Sequence, residues 1–325
     1  MEYITILIIL FVLMLIYFRI ANKYNIIDKP NHRSAHTEIT LRGGGIIYPI
    51  AFLLFFITPS HEYSIAQSLN YGIFGLGLLL ICTISFIDDV IDLSSKIRLV
   101  FHFISVTLLL YFLQAFQLLP IWSIPILYIL IIGILNAYNF MDGINGMSGL
   151  YSLVILGSLL YINESVIQFT QQDFIIYPLL ASLVFLFFNF RKKAKCFMGD
   201  VGSMGIAFWV IALVTLLIIE TGQFKYILFL TVYGVEVTFT IMERLLLKEN
   251  IFEAHRRHLY QLLANEKKVS HLVISTMYAF IQLVVNLFII NFECSDILSF
   301  LIVISILSVM YLLIKRKIKK ELAKA

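Results

Sequence analysis

Eleven apolar segments recur along this 325-residue chain, and most of them approach the length that a helix needs to cross a lipid bilayer. A helix takes about 20 apolar residues to span a hydrocarbon core that is about 30 Å thick. Sixty per cent of the residues are hydrophobic and 14% are charged, whereas soluble domains average about 45–50% and about 25%. The sequence therefore excludes an ordinary soluble fold and predicts an all-α, polytopic integral membrane helical bundle. The apolar segments are 3–18, 46–58, 71–87, 99–118, 122–137, 148–162, 174–190, 204–219, 226–242, 271–290 and 298–314.

Positive charges divide the loops between these segments into two classes. All 24 Lys and Arg residues except Lys225 fall in alternate loops or in the tail that begins at residue 315. Because basic residues concentrate in cytoplasmic loops, the distribution predicts about 11 spans with the N-terminus outside and the C-terminus in the cytoplasm. Segment 46–58 is short enough to be re-entrant, but that arrangement would mix the charges of every later loop. We therefore keep it as a span and expect a single transmembrane domain over 1–325.

Neither the basic tail nor the cysteines form a pattern that indicates a reactive or binding site. The run 315–320 is typical of a charge anchor that contacts anionic membrane lipids. Cys82, Cys196 and Cys294 are scattered, and their spacing matches neither a metal site nor a disulfide framework.

A cluster of three aspartates ends the third apolar segment. Asp88 and Asp92 are four residues apart, so they share one helical face, and Asp89 lies about 100° round the helix from Asp88. Two carboxylates about 5 Å apart repel each other by roughly 3 kcal/mol at an effective dielectric near 20. A divalent cation would remove that repulsion, and Mg²⁺ suits it because it binds one or two carboxylates together with phosphate oxygens. A solvated helix end has a similar composition, but ionisable groups at membrane depth are usually functional.

The second cluster follows the fifth apolar segment, over residues 136–149. It interleaves Asn139, Asp142 and Asn145 with glycines, and it contains no Lys or Arg. Glycine allows a turn and a close approach of the backbone to a ligand. An Asn- and Gly-rich hairpin would look alike, but the lack of basic residues on a face otherwise crowded with them favours a cation site.

Asp200, between two glycines at the start of the eighth apolar segment, is a third candidate. It is either a helix N-cap or a metal ligand whose neighbouring backbone amides face a phosphate. Phe197, three residues earlier, has the right chemistry to stack on a base, although a lone aromatic is more often an interfacial residue.

The longest basic loop contains His255, Arg256, Arg257 and His258. Arginine offers a planar fork to phosphate oxygens, and histidine can donate a hydrogen bond or change its charge, so the loop suits a pyrophosphate. A basic juxtamembrane patch is the alternative. Glu236, inside the ninth segment, is expected to face the bundle interior as a structural acid.

The first loop on the same face contains a glycine triplet, residues 43–45, beside Arg42. Successive backbone amides in such a triplet can cradle an anion, and Arg42 adds a positive charge. Three glycines alone are a weak signal, and their position among the other clusters strengthens it.

Taken in order, these motifs resemble the polyprenyl-phosphate N-acetylhexosamine-1-phosphate transferases of glycosyl transferase family 4, which include the phospho-MurNAc-pentapeptide translocase. The resemblance covers about residues 20–265. It rests on six ordered motifs: 30–36, 42–45, 88–92, 136–146, 197–203 and 255–261. Asn189 lies one residue further from Asp200 than is usual in the family, and Glu236 stands where this branch often has Asp.

The resemblance implies transfer of a sugar-1-phosphate from a UDP-sugar to undecaprenyl phosphate, with release of UMP and a requirement for Mg²⁺ or Mn²⁺. It assigns the aspartate pair to Asp88 and Asp89 and the metal-binding aspartate to Asp200. The nucleotide- and phosphate-contacting positions that it implies are Asn139, Asp142, Asn145, Phe197, His255, Arg256 and His258, and the residues themselves add Arg42 as an anion contact. Together, the residues and the resemblance predict that Asp88, beside the metal, takes the remaining proton of the lipid phosphate or positions that phosphate, and that Asp89 and Asp92 shape the metal shell.

The resemblance also implies a bacterial inner-membrane protein, a homodimer as the assembly, and no nucleic-acid partner. Two other functions compete with it. An ion-coupled transporter also has about 11 spans and buried acids, but its polar residues should lie near the midplane. An intramembrane Mg-dependent prenyltransferase also uses aspartate pairs, but it should have two Asp-rich motifs of similar form.

Overall fold

A computed structural model describes residues 2–28, 39–58, 65–91, 93–250 and 256–323 of the chain. Within these ranges the protein is almost entirely helical, and its one sheet pairs two short strands. The helices are α1 (Glu2–Lys23), α2 (Ile47–Ile57), α3 (Ile65–Val90), α4 (Ser95–Phe112), α5 (Ala115–Leu118), α6 (Ile124–Met141), α7 (Met147–Ser165), α8 (Gln172–Asn189), α9 (Gly199–Thr221), α10 (Thr231–Leu246), α11 (Leu259–Gln261), α12 (His271–Asn291) and α13 (Asp296–Leu322).

Each of the eleven apolar segments coincides with helical structure, so the prediction of an all-α membrane bundle is confirmed. Nine helices within the described ranges are long and apolar enough to cross a membrane. The two segments outside that group are α7 and α2, and α2 has only 11 residues. Which end of the bundle faces the cytoplasm stays a prediction from the charge distribution.

Helix α9 forms the centre of the bundle, because its side chains are small or apolar on every face. Nearly every residue from Val201 to Val214 is buried. It packs against α2, α3, α6 and α7. The position of its first turn, which begins at Gly199, is therefore fixed by most of the molecule.

The chain leading into α2 is fastened to the chain leading into α9 by backbone hydrogen bonds. Phe197 N donates to Leu41 O at 2.7 Å, Gly44 N donates to Phe197 O at 2.8 Å, and Gly45 N donates to Met198 O at 2.9 Å. This corrects the expectation that the glycine triplet cradles an anion, because the amides of Gly44 and Gly45 already have carbonyl partners.

Two short antiparallel strands, β1 (Ile27–Asp28) and β2 (Thr40–Leu41), lie just before the glycine triplet in the chain. Their register pairs Ile27 with Leu41 and Asp28 with Thr40. The pairing therefore brings Asp28 next to the segment that carries Arg42.

The membrane segment that contains α10 is broken, and a buried glutamine satisfies the break. Residues Phe224–Leu230 form a 3₁₀ helix before α10 begins. Gln282 donates to Leu228 O at 3.0 Å and accepts from Val232 N at 3.1 Å. Backbone groups at membrane depth need such partners, since no water is there to bond them. The break is thus part of a stable fold and sets where α10 begins.

Glycine is required where α2 and α9 meet, because their backbones touch there. A Cβ atom on Gly45 would overlap the Cα of Gly202 and lie 2.6 Å from its amide nitrogen, and the reverse substitution meets the same obstacle. Backbone atoms cannot swing aside as a side chain can.

We expect Gly45→Ala to lower the melting temperature of the purified protein by roughly 5 °C or more, because overpacked backbones must separate. Gly157→Ala is the matched control, since a Cβ there meets nothing within 4 Å and alanine favours a helix. Thermal unfolding in detergent measures both. Equal melting temperatures for the two variants would contradict the contact between Gly45 and Gly202.

Candidate active site

A polar cavity of about 260 Å³ opens at one end of the bundle, where several of the sequence motifs converge. Its volume is slightly below the usual range of ligand pockets, about 300–1,000 Å³, so a large substrate would extend out of it. Its walls carry three carboxylates, one guanidinium and several side-chain amides. The lining residues are Asp28, Arg42, Asn139, Asp142, Gly143, Ile144, Asn145, Asn189, Phe197, Met198, Gly199, Asp200, Ser203, Gln261, Asn265 and His271.

Arg42 links two of the aspartates that the sequence singled out. Its Nε lies 2.8 Å from Oδ1 of Asp89, and its Nη2 lies 3.8 Å from Oδ1 of Asp200. Asn139 makes a side-chain hydrogen bond with Asp200. Arg42, Asn139 and Asp200, which come from three different sequence motifs, therefore form one connected wall of the cavity.

Asp89 lies behind this wall and caps helix α9. Its side chain is fully buried, and it accepts hydrogen bonds from the amides of Asp200 at 3.1 Å and Val201 at 3.2 Å. A carboxylate at a helix N-terminus is favoured by the unpaired amides and by the helix dipole. The amides of Asp200 and Val201 both donate to Asp89, so they do not face a phosphate, which was one of the two alternatives for Asp200.

Gly199 makes this capping possible. It adopts a φ of 72°, and a Cβ there would lie 2.5 Å from Oδ2 of Asp89. A side chain at this position would be strained and would also push Asp89 away from the helix end.

Asp88 is not among the residues that line the cavity, and both of its carboxylate oxygens have partners. Its Oδ2 accepts from Nη1 of Arg98 at 2.8 Å, and its Oδ1 accepts from Leu93 N at 2.8 Å. The pair still lies near the site, since the charges of both Asp88 and Arg98 act on Asp200. Asp92, the third predicted member of this cluster, lies outside the described residues.

The side chains of Asn145 and Asn189 connect the cavity loops through hydrogen bonds to the backbone. Asn145 donates to Arg191 O at 2.8 Å. Asn189 accepts from Gly146 N at 2.6 Å and donates to Cys196 O at 2.8 Å. Although Asn189 lies one residue further from Asp200 than is usual in the family, its side chain has a structural role. It hydrogen-bonds the loop after α6 to the loop after α8.

The loop after α10 reaches the cavity through residues other than the predicted ones. Gln261 lines the cavity, whereas His258 is buried with its Nδ1 3.8 Å from Oε1 of Glu236. Arg256 lines a separate surface pocket, and His255 lies outside the described residues. A pyrophosphate role for Arg256 or His258 would need a different position of this loop.

Glu236 holds that loop from inside the bundle, as the sequence predicted for a structural acid. The carboxylate is buried and accepts from Leu259 N at 2.5 Å and Tyr260 N at 3.3 Å, and it also accepts from the hydroxyl of Tyr278. Tyr260 in turn donates to Phe140 O at 2.9 Å. The loop is thus tied to α6, which carries Asn139.

The carboxyl groups around the cavity disfavour one another's charged form. Burial raises the pKa of Asp142 well above its usual value, and the charges of Asp200 and Asp89 raise it further, against the influence of Arg42. Burial alone would lower the pKa of Arg42, but the carboxylates of Asp89 and Asp200 outweigh it and keep that pKa above its ordinary value.

Three carboxylates against one arginine suit a bound cation. Within the described residues, no group of three or more His, Cys, Asp and Glu side chains is arranged to hold a metal ion by itself. Mg²⁺ does not need such a group, because it binds one or two carboxylates and completes its shell with water and phosphate oxygens. Asp200 and Asp142 therefore fit a magnesium ion that is shared with a phosphate ligand, whereas Asp88 does not line the cavity.

Sequence reasoning missed five cavity residues, namely Asp28, Ser203, Gln261, Asn265 and His271. Asp28, Ser203 and Gln261 lie within or beside the motifs, but nothing in their spacing showed that they point inward. Asn265 and His271 follow the last motif, and only the fold brings them to the site.

Residues 71–218 match glycosyl transferase family 4. This confirms the resemblance that the motifs indicated, and the matched range contains Asp88, Asp89, Asn139, Asp142 and Asp200.

Curated relatives extend the similarity beyond that range. A probable undecaprenyl-phosphate N-acetylglucosaminyl 1-phosphate transferase of Bacillus subtilis (strain 168) is 26% identical over 261 residues, which cover 74% of this chain and 70% of the relative. An undecaprenyl-phosphate alpha-N-acetylglucosaminyl 1-phosphate transferase of Thermotoga maritima is 25% identical over 252 residues, 76% of this chain and 75% of the relative. A phospho-N-acetylmuramoyl-pentapeptide-transferase of Petrotoga mobilis is 28% identical over 190 residues, 50% of this chain and 56% of the relative.

The different surroundings of the two neighbouring aspartates give a stability prediction. Asp89→Asn should lower the free energy of unfolding by about 3 kcal/mol, because the fully buried Asp89 carboxylate both caps α9 and pairs with Arg42. Asp88→Asn should lower it by about 1 kcal/mol or less, since 11% of the Asp88 side chain and 38% of the Arg98 side chain are exposed. Thermal or denaturant unfolding of the two purified variants measures the difference. A larger loss for Asp88→Asn than for Asp89→Asn would contradict the assignment of the buried cap.

Proposed function

We propose that this protein transfers N-acetylhexosamine-1-phosphate from a UDP-sugar to undecaprenyl phosphate and releases UMP. The observation that carries the proposal is one cavity, at the end of a membrane bundle, that gathers Asp142, Asp200 and Arg42 with side-chain amides. The names of the relatives in Bacillus subtilis and Thermotoga maritima support N-acetylglucosamine-1-phosphate as the transferred group.

Such a site suits the two substrates. A UDP-sugar is a water-soluble anion, whereas the phosphate of a polyprenyl lipid lies at the membrane interface with its tail among the helices. A polar cavity at the end of an apolar bundle allows the two to meet. We propose that this end faces the cytoplasm in the bacterial inner membrane, in keeping with the positive charges on the loops there.

A divalent cation resolves the negative charge of the cavity. The diphosphate of a UDP-sugar would be repelled by Asp28, Asp142 and Asp200, which outnumber Arg42. Mg²⁺ bound to Asp200 and Asp142 would neutralise diphosphate oxygens and supply the charge stabilisation on which phosphoryl transfer depends. Mn²⁺ has the same ligand preference. Asn139 would hold the Asp200 carboxylate in place through its hydrogen bond.

The ion pair of Arg98 and Asp88 suits the acceptor. Arg98 is partly exposed and lies with Asp88 at the junction of α3 and α4, where its charge acts on Asp200. An acceptor phosphate bound to Arg98 would meet the Asp88 carboxylate, which could take its remaining proton. A phosphate oxygen would then form a bond to the sugar-bearing phosphorus, while the bond between that phosphorus and UMP breaks.

Several finer assignments belong to the same proposal. UDP-GlcNAc is the proposed donor, with UDP-linked 6-deoxy-HexNAc sugars such as FucNAc and QuiNAc as alternatives. The step would initiate a cell-envelope polysaccharide of the O-antigen or teichoic acid type. Phe197, which lines the cavity, is the proposed stacking partner of the uracil base, and a homodimer is the proposed assembly.

The two competing functions have less support. A transporter should carry its polar site near the midplane, whereas the carboxylates of the cavity lie at one end of the bundle. A prenyltransferase should have a second Asp-rich motif, whereas the loop after α6 presents Asn139, Asp142 and Asn145.

The decisive assay is UMP release by purified protein in detergent from UDP-GlcNAc and undecaprenyl phosphate. We expect release to need both substrates and Mg²⁺, to stop with EDTA, and to return when excess Mg²⁺ is added. Release without the lipid would point to simple hydrolysis, and no release from any UDP-HexNAc of a donor panel would refute the proposal.

Substitution of the aspartates tests their assigned roles. Asp200→Asn should lower kcat by at least about 100-fold, because it weakens the cation site at the reacting phosphates. Asp88→Asn should abolish transfer to a similar degree, because it removes the proton acceptor. Glu220→Gln, at the opposite end of α9, is the control of equal charge change and should leave kcat unaltered. Near-normal turnover in either Asp variant would remove that residue from the mechanism.

A further inference from the structure

Helix α13 extends past the apolar span with a basic tail, and the structure gives that tail a partner within the protein. Lys315 is buried, and its Nζ lies 2.8 Å from Oε2 of Glu243 and donates to the hydroxyl of Tyr311 at 2.6 Å. Lys319 binds the other carboxylate oxygen of Glu243. Both lysines were expected to anchor the chain to lipid headgroups, and both instead pair with the last turns of α10.

Glu243 also contacts the loop that closes the cavity. Nη1 of Arg257 lies 3.4 Å from Oε1 of Glu243, and Arg257 also pairs with Glu249. Four residues after Arg257, Gln261 lines the cavity. One carboxylate therefore joins α13 to the start of the cavity loop.

Two further contacts fasten α13 to the same loop. Lys267, at the far end of the loop, pairs with Glu321 of α13. Between the two charged contacts, Leu259 packs with Tyr311 and Ile318 in a small apolar cluster of its own. The loop is thus held by α13 at its beginning, its middle and its end.

We propose that Glu243, with Lys315 and Lys319, is a positioning element for the active site. It acts through Arg257 to hold the loop over residues 257–267 against the cavity. Through Glu243, α13 therefore supports the side of the cavity that contains Gln261, where we propose that the donor sugar nucleotide binds. Glu243 touches no cavity atom, so the proposal concerns placement and not chemistry. The kinetic part of its test rests on the proposed transferase function, whereas the structural part does not.

The burial of this cluster explains why it can hold the loop. Only 6% of the Lys315 side chain and 18% of the Glu243 side chain are exposed, so water screens the pair far less than an ion pair on an open surface. Loss of Glu243 leaves the charge of Lys315 without its close carboxylate in a poorly solvated place, and loss of Lys315 leaves Glu243 held only by Lys319 and Arg257. Removing either charge should therefore free the loop.

The structural test is hydrogen exchange of the full-length protein in detergent, in Glu243→Gln and Lys315→Gln. We expect amides of the cavity loop to exchange on the order of tenfold faster in each variant, while amides of α9 keep their protection. The double variant should loosen the loop no more than Glu243→Gln alone, because Lys315 acts on the loop through Glu243. Lys320→Gln is the matched control, as it removes the same charge from the same tail outside the cluster.

The kinetic test uses the same variants with UDP-GlcNAc. We expect KM for the donor to rise roughly threefold to tenfold with a smaller change in kcat, because the loop would occupy its binding-competent position for a smaller fraction of the time. Unchanged loop exchange in both single variants, or equal loosening in Lys320→Gln, would overturn the proposal. Faster exchange in a protein without any transferase activity would keep the positioning role and refute the proposed function.

Discussion

The buried carboxylate of Asp89 is the interaction on which the site depends. It caps the first turn of α9 through two backbone amides and pairs with Arg42 at 2.8 Å. Three parts of the chain that are remote in sequence, namely the end of α3, the start of α9 and the segment before α2, therefore meet at one side chain. A buried charge must be paired and hydrogen-bonded to be tolerated, and the arrangement satisfies that requirement while it aims Asp200 into the cavity.

Much of this fold could be predicted because lipid imposes simple rules. Apolar length located all eleven segments, since a helix at membrane depth must satisfy its own backbone. The gathering of the Asp142, Asp200 and Arg42 motifs at one end followed from alternate loops lying on the same side. The interior position of Glu236 also followed, because an acid two turns inside a span must find polar partners.

The division of labour among the polar residues could not be predicted in the same way. Adjacent Asp88 and Asp89 look equivalent in sequence, yet one pairs with Arg98 and the other caps α9. The difference depends on which helix packs beside each carboxylate. The glycine triplet has the composition of an anion cradle, but its amides bond to Phe197 and Met198. Tertiary packing determines these hydrogen-bond partners, and a local sequence pattern does not predict them.

The backbone contact between Gly45 and Gly202 has a consequence for how the protein matures. The two glycines are separated by seven helices, α2 to α8, so the partner of the early one is made only after most of the chain has been synthesised. Until α9 enters the bilayer, Arg42 and Asp89 are present without the helix end that orders them. Catalytic competence should thus appear late and abruptly during biogenesis, and a product that stops after α8 would be inserted yet inert.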